Sequence, residues 1–172
     1  HADNNTTIHD DNYDGFLDHP TFKGFNFFNR YQYTDLEKGI VSFLGFRYMK
    51  NDKKAGEDVA NLKLKRIAWV SEIKTDRFDS NFKLGYVNPR IPYQSIGFQM
   101  AYSAHNQKSF FGLRDYNIKQ NSFYSSFLYN SIIGNTMNKI KTGLNFYYDD
   151  FEEIVDQTKT NYNRLDKSIG GF

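Results

Sequence analysis

Apolar and polar residues alternate through most of the chain with a period of two, the period of an extended strand with two unlike faces. From Phe22 to Tyr33 the sequence reads F-K-G-F-N-F-F-N-R-Y-Q-Y. Phe25, Phe27, Tyr31 and Tyr33 fall on one side, and Asn26, Phe28, Arg30 and Gln32 on the other. After the polar turn Thr34–Gly39, the run with Ile40, Leu44, Phe46 and Tyr48 on one side sets Gly45 and Arg47 on the other. Phe78, Ser80, Phe82, Leu84 and Tyr86 alternate with Asp79, Asn81, Lys83 and Gly85. Ile96, Phe98, Met100, Tyr102 and Ala104 alternate with Gly97, Gln99, Ala101 and Ser103. The segment 122–133 is strand-like but ambiguous in facing, because Phe123-Tyr124 and Phe127-Leu128-Tyr129 interrupt the pattern. Ile140, Thr142, Leu144, Phe146 and Tyr148 restore it. The pattern predicts an all-β, antiparallel chain of about seven strands with no helical period.

The connections predict two unlike ends. Short turns at 34–39, 88–94 and 134–138 alternate with long polar segments at 51–66, 105–120 and 149–164, read as loops. In an antiparallel meander, successive connections emerge at opposite ends, so one end carries the short turns and the other the loops. That is the layout of a transmembrane barrel in a bacterial outer membrane, with short periplasmic turns and long extracellular loops. The predicted strands, about 10–14 residues, exceed the usual 5–6 and suffice for a tilted crossing of a bilayer. Tyrosines at strand ends (Tyr31, Tyr33, Tyr48, Tyr86, Tyr93, Tyr102 and Tyr148) are placed for an interfacial girdle. Arg30, Arg47, Lys83, Gln99, Lys141 and Asn145 would face a wet or plugged interior.

Composition narrows the classes. The 17 Phe and 13 Tyr exclude a disordered chain, while a mean hydropathy of −0.71 and the lack of any long apolar run exclude a helical membrane protein. Net charge is +2 with no basic stripe, so nucleic acid is not an expected partner. Cysteine is absent, so disulfides supply no stability. The chain opens on His1 without a signal pattern and stops at Phe172 inside what reads as a strand, so it is expected to be a piece of a longer protein. About seven strands cannot close a barrel with a polar lumen, so further strands are expected elsewhere.

Several segments, in order along the chain, resemble TonB-dependent receptors of the Bacteroidetes type. They are Phe28–Tyr33, Glu37–Gly39 with Gly45–Tyr48, Pro92–Gly97, Ser109–Leu113, Gln120–Tyr124 and Ser131–Thr136. The resemblance implies a barrel of about 22 strands around a plug. It implies coupling to TonB and active import of a scarce ligand such as siderophore–iron or cobalamin. It divides the chain into a polar loop over 1–21 and barrel strands and loops over 22–172. The plug and the TonB box have no counterpart here. Outer-membrane lipid, lipopolysaccharide, TonB, the plug, the remaining barrel strands and further outer-membrane proteins are the implied partners.

One motif carries chemistry of its own. Asp10–Asp18 reads D-D-N-Y-D-G-F-L-D, with oxygen donors at positions 1, 3 and 5, Gly15 at position 6, a carbonyl at position 7 and an acid at position 9. This is the spacing of an EF-hand-like loop, in which Asp10, Asn12, Asp14, the Phe16 carbonyl and Asp18 would surround Ca²⁺. Thr21 stands where the bidentate Glu belongs. A solvated Asx turn is the alternative. His9 and His19 flank the loop, and His105 sits at a strand end. Phe110, Phe111, Arg114 and Tyr116 form an aromatic, cationic tip that could contact a ligand. Lys53-Lys54 and Lys63–Arg66 could meet anionic lipopolysaccharide. No Ser/His/Asp grouping, phosphate loop or converging acid pair points to catalysis. Besides transport, two readings fit the sequence: a non-transport scaffold subunit of an outer-membrane assembly, and a secreted calcium-binding β-sandwich.

Overall fold

The computed structural model of the chain describes residues 2–57, 68–155 and 160–172. They form one antiparallel sheet: β1 (Ala2–Asn5), β2 (Thr21–Asp35), β3 (Ile40–Gly56), β4 (Val70–Val87), β5 (Ser95–Phe111), β6 (Arg114–Ile133), β7 (Asn135–Val155), β8 (Thr160–Asn161) and β9 (Arg164–Gly171). Each strand through β7 pairs with the next in chain order. Both β8 and β9 pair with β7 in one register (Ile154 with Asn161, Phe151 with Arg164), so they are one strand interrupted at residues 162–163. No pairing among the described residues joins the β1–β2 edge to the β8–β9 edge, and the sheet is open.

The all-β antiparallel expectation holds, but three loop boundaries do not. Residues 51–56 continue β3, and β4 resumes at Val70. The segment 105–120 is no loop: β5 runs to Phe111, residues 112–113 turn, and β6 begins at Arg114. Likewise β7 continues to Val155, and pairing resumes at Thr160. Within 1–21, Ala2–Asn5 pairs with β2. Strands β2–β7 are therefore 15–21 residues long. Polar composition misled here because the backbone ladder is indifferent to side-chain polarity: a charged hairpin in water still pairs its N–H and C=O groups.

The short turns are fixed locally. Gly39 has φ of 71°, its carbonyl accepts the Val87 N–H at 2.8 Å, and an added Cβ would lie 1.9 Å from the Val87 carbonyl oxygen. The turn 88–94 closes through Asn88 N–H to the Gln94 carbonyl at 2.9 Å, with Pro89 and Pro92 where no ladder N–H is needed. Gly134, with φ of 75°, joins β6 to β7 beside a register shift at Ile132/Ile133.

Register aligns the two faces across the whole sheet, because directly opposed residues point the same way. Tyr48 opposes Phe78, Phe82 opposes Met100, Phe98 opposes Phe127, and Phe123 opposes Tyr148. Phe27, Tyr31 and Tyr33 open this face and Ile169 closes it. The β6 ambiguity resolves: Phe123, Phe127 and Tyr129 join the apolar face, and Tyr124 and Leu128 the other.

Burial is inverted relative to a water-soluble domain. Among the described residues no hydrophobic side chain is buried; the buried side chains are Glu57, Ser109, Ser126, Ser131 and Asp149. The chain exposes 12365 Å², whereas a compact soluble protein of 20.2 kDa exposes about 8,800 Å². A single-layer sheet leaves both of its faces uncovered, and one of the two is apolar.

Candidate functional site

The apolar face is a band of fixed depth. On six successive strands, five alternate residues point to it: 25–33, 40–48, 78–86, 96–104, 123–131 and 140–148. None of these positions holds a charge. Their aromatic rings meet between strands, Phe27 with Phe46 at 6.2 Å, Phe82 with Phe98 at 6.4 Å and Phe123 with Phe146 at 6.1 Å. At the long-hairpin rim, tyrosine hydroxyls turn away from the band. Tyr48 donates to Asp76 at 3.1 Å, Tyr102 to Asn121 at 3.3 Å and Tyr148 to Asp150 at 3.5 Å. At the opposite rim Tyr33 donates to Asp35 at 3.3 Å. A ring on the apolar side with its hydroxyl on the wet side is the interfacial disposition of tyrosine.

Beyond the long-hairpin rim the same strands and the same face become charged. Lys50, Asp52 and Lys54 follow on β3, Glu72, Lys74 and Asp76 on β4, and Lys108 and Lys119 on β5 and β6. Glu72 forms ion pairs with Lys54 at 2.9 Å and with Lys74 at 3.0 Å. Burial alone would raise the Glu72 carboxyl, but these two ammonium groups hold it below the ordinary carboxylate value. The Glu72 carboxylate beside it in turn raises Lys54 above its ordinary value.

The opposite face is a polar wall with two carboxylate centres. Asp79 accepts from Arg77 Nε at 3.0 Å and from the Ser103 hydroxyl at 2.8 Å. Asp149, 1% exposed, accepts from Gln120 at 2.9 Å, from Arg164 at 3.3 Å and from the Ser122 hydroxyl. Arg30 lies over the Phe43 ring at 4.7 Å, and Arg47 Nε donates to Asn26 at 3.1 Å. His105, expected at a strand end, lies within β5 between Arg77 and Gln120. The Asp149 centre is masked in the sequence because residues 105–120 and 149–164 have the polarity of loops. Extending the period-two pattern through the polar segments puts Gln120, Ser122 and Asp149 on one face.

The acidic loop docks at the long-hairpin end. Phe16 bridges to Glu57, and Leu17 N–H donates to the Gly56 carbonyl at 2.8 Å. Gly15 at position 6 has φ of 86°, as the sharp turn requires, and Tyr13 is held at φ of 58°. The oxygens expected to face a cation accept from the loop itself. Asp10 takes the amides of Asp14 and Gly15 at 3.1 and 3.0 Å, Asn12 that of Asp14 at 3.0 Å, Asp14 that of Phe16 at 2.8 Å, and Asp18 that of Asp11 at 2.7 Å. No group of three or more acids or histidines converges among the described residues. His9 contributes its carbonyl, to Asp18 N–H at 2.9 Å.

The four tip residues are divided. Phe111 and Tyr116 meet edge to face at 5.8 Å, and Arg114 opposes Phe111, so these three share the polar face. Phe110 opposes Glu72 on the other face. Lys53 and Lys54 also part company: Lys53 stacks over Phe22 at 5.5 Å on the polar side, and Lys54 joins Glu72. Residues 63–66 lie outside the described residues. Comparison with known proteins gave no matching family model, no matching curated protein and no matching solved structure.

Proposed function

We propose that the chain is part of the wall of an outer-membrane β-barrel, whose apolar band meets lipid and whose polar wall lines the interior. The carrying observation is the inversion of burial: the continuous uncharged band on six strands has no buried apolar side chain, while the buried side chains are Ser, Asp and Glu, all but Ser131 on the other face. A sandwich reading needs a second sheet over that band, and the described residues make only one. An open edge is costly inside a membrane, where each unpaired backbone group costs several kcal/mol; further strands would complete the ladder. On the sequence resemblance, the complete barrel is a TonB-dependent receptor importing a scarce ligand such as siderophore–iron or cobalamin. The protein is expected to stay with the membrane through a high-salt and alkaline wash and to need detergent for extraction. Recovery in the aqueous wash would sink the barrel reading. For the transport part, deletion is expected to abolish uptake of one iron or cobalamin source; unchanged uptake with stable co-purifying proteins would favour the scaffold role.

The acidic loop belongs to the same proposal as an extracellular Ca²⁺ site of low affinity, supported by donor order and by the left-handed Gly15. Occupancy requires the Asp10, Asn12, Asp14 and Asp18 oxygens to serve metal and amides together. Calcium is expected to protect residues 10–18 from protease in the parent and not in Asp14→Ala; equal cleavage with calcium and with chelator would remove the site.

A further inference from the structure

We propose that the inner side of the long hairpins, beyond the tyrosine rim, is a binding platform for an aromatic anion. This rests on the band reading above, which decides the inner side, and it names the chemistry of a ligand arriving from outside. Past Tyr48, Phe78, Tyr102, Phe123 and Tyr148 the strands β3–β7 run on for roughly 25 Å, and their two faces exchange character. The side continuous with the apolar band becomes charged and self-neutralising, with Lys50 opposite Asp76, Asp52 opposite Lys74 and Lys54 opposite Glu72. The side continuous with the polar wall becomes apolar, where Ile73, Phe111, Tyr116, Ile118 and Val155 lie together. Ser109 lies directly between Ile73 and Tyr116 and is 4% exposed, so these side chains close over the backbone. Phe111 and Tyr116 meet edge to face, yet Phe111 stays 39% exposed. Lipid does not reach the inner side above the rim, and a contiguous apolar patch facing water marks a binding surface.

Rings and charge select the ligand class. In the same rows stand Lys53 opposite Ile73, Arg114 opposite Phe111 and Glu153 opposite Ile118. Lys53 is stacked over Phe22 at 5.5 Å, and Glu57, further out, is 6% exposed and bridges to Phe16 of the acidic loop. Arg114 faces Phe111 directly and precedes Tyr116 by two residues on the same side, so a charge carried by a ring stacked there meets its guanidinium first. At the tip the half-exposed Trp69 indole lies against Gly112, where an added Cβ would stand 2.9 Å from its Cδ1 and Nε1. Gly112, with φ of 64°, lies in the turn between Phe111 and Arg114, so a third ring is held next to the other two. Ring faces and edges favour a flat aromatic partner, and a guanidinium beside them favours one with an anionic group. A ring-free fatty acid or a neutral ring satisfies only half of this surface.

The test uses the protein reconstituted in lipid nanodiscs and dialysed to equilibrium against naphthoate, neutral naphthylmethanol or ring-free octanoate, with binding to empty nanodiscs subtracted. The parent is expected to bind naphthoate several-fold more tightly than either comparison compound. Combined Phe111→Leu and Tyr116→Leu, which keep apolar volume without rings, is expected to weaken naphthoate about tenfold. Arg114→Gln is expected to weaken naphthoate several-fold and to leave naphthylmethanol unchanged; where the double variant fails to enter nanodiscs, this single variant decides. Phe110→Leu, on the charged side, is expected to change neither compound. Equal affinity for naphthoate and octanoate, or an equal loss in Phe110→Leu, would overturn the aromatic platform. Unchanged naphthoate binding in Arg114→Gln would overturn the anionic assignment. Failure of the band reading is distinguishable, because it shows as solubility without detergent before any ligand is added.

Discussion

Strand β4 contains two chemistries on one face. From Phe78 to Tyr86 its alternate residues are Phe, Ser, Phe, Leu and Tyr, and from Glu72 to Asp76 they are Glu, Lys and Asp. Backbone pairing is continuous across the change, with Asp76 opposite Lys50 and Phe78 opposite Tyr48 in one unbroken register. The ladder therefore determines where the chain goes, and side-chain polarity determines which medium each level can meet. The same boundary recurs on β3, β5 and β7, marked each time by a tyrosine whose hydroxyl points across it.

The largest test of this contrast puts one charge at two levels of the same face. Phe82→Arg, mid-band, is expected to cost about 2–4 kcal/mol in a bilayer, and Asn106→Arg, beyond the rim, about 0–1 kcal/mol. Urea unfolding of both variants in vesicles measures this, and equal costs would erase the distinction between the levels. Next comes the opposite face. Asp149→Ala strips the acceptor from Gln120, Ser122 and Arg164, with an expected loss of about 1–3 kcal/mol. Amide exchange should accelerate across the β7–β9 pairing and not across β2–β3; a uniform change would contradict a local role.

A comparable cost, about 1–2 kcal/mol, is expected from Gly39→Ala, since both its left-handed backbone and the nearby Val87 carbonyl resist a side chain. Gly134→Ala is expected to cost less, because that position has the same backbone sign but nothing within 4 Å. Parallel unfolding curves rank the two, and a reversed order would refute the steric argument.

The smallest effect belongs to Glu72. Its carboxyl is held below the ordinary value, so the stability from Lys54 and Lys74 is fully present above the ordinary carboxylate range. That stability is lost as pH falls through the depressed folded value. Glu72→Gln should cost about 0.2–1 kcal/mol near neutrality and nothing once the carboxyl is protonated. A pH-independent difference between variant and parent would rule the ion pairs out as its cause.

The band was legible in the sequence because apolar-face and polar-face residues alternate, so Phe82, Leu84 and Tyr86 announce themselves against Asp79, Asn81 and Lys83. The turns at Gly39 and Pro89–Pro92 were legible from residue chemistry. The charged extensions were not, since Lys50–Lys54 and Glu72–Asp76 alternate in sign rather than in polarity and resemble a solvated loop. The Asp149 centre was hidden for the same reason, since Gln120, Asp149 and Arg164 fall in segments whose polarity resembles loops, and the register then brings Ser122 and these residues to one place. The acidic loop was legible as a turn, down to the left-handed Gly15, because that conformation depends on local residues alone.

The registers also contain a slope. Between β2 and β3, and again between β5 and β6, the level of the uncharged band steps by two residues, while the other three pairings keep it level. If the band lies parallel to a membrane, the strands must lean to absorb those steps. With roughly 3.3 Å per residue and 4.8 Å between strands, the lean is roughly 30°, a little below the roughly 35–45° of membrane barrels. At that lean a nine-residue segment rises roughly 24 Å, close to the roughly 25 Å apolar height of an outer-membrane barrel. On the proposed barrel reading, the stagger of the tyrosine rims sets the stride that the wall takes from strand to strand.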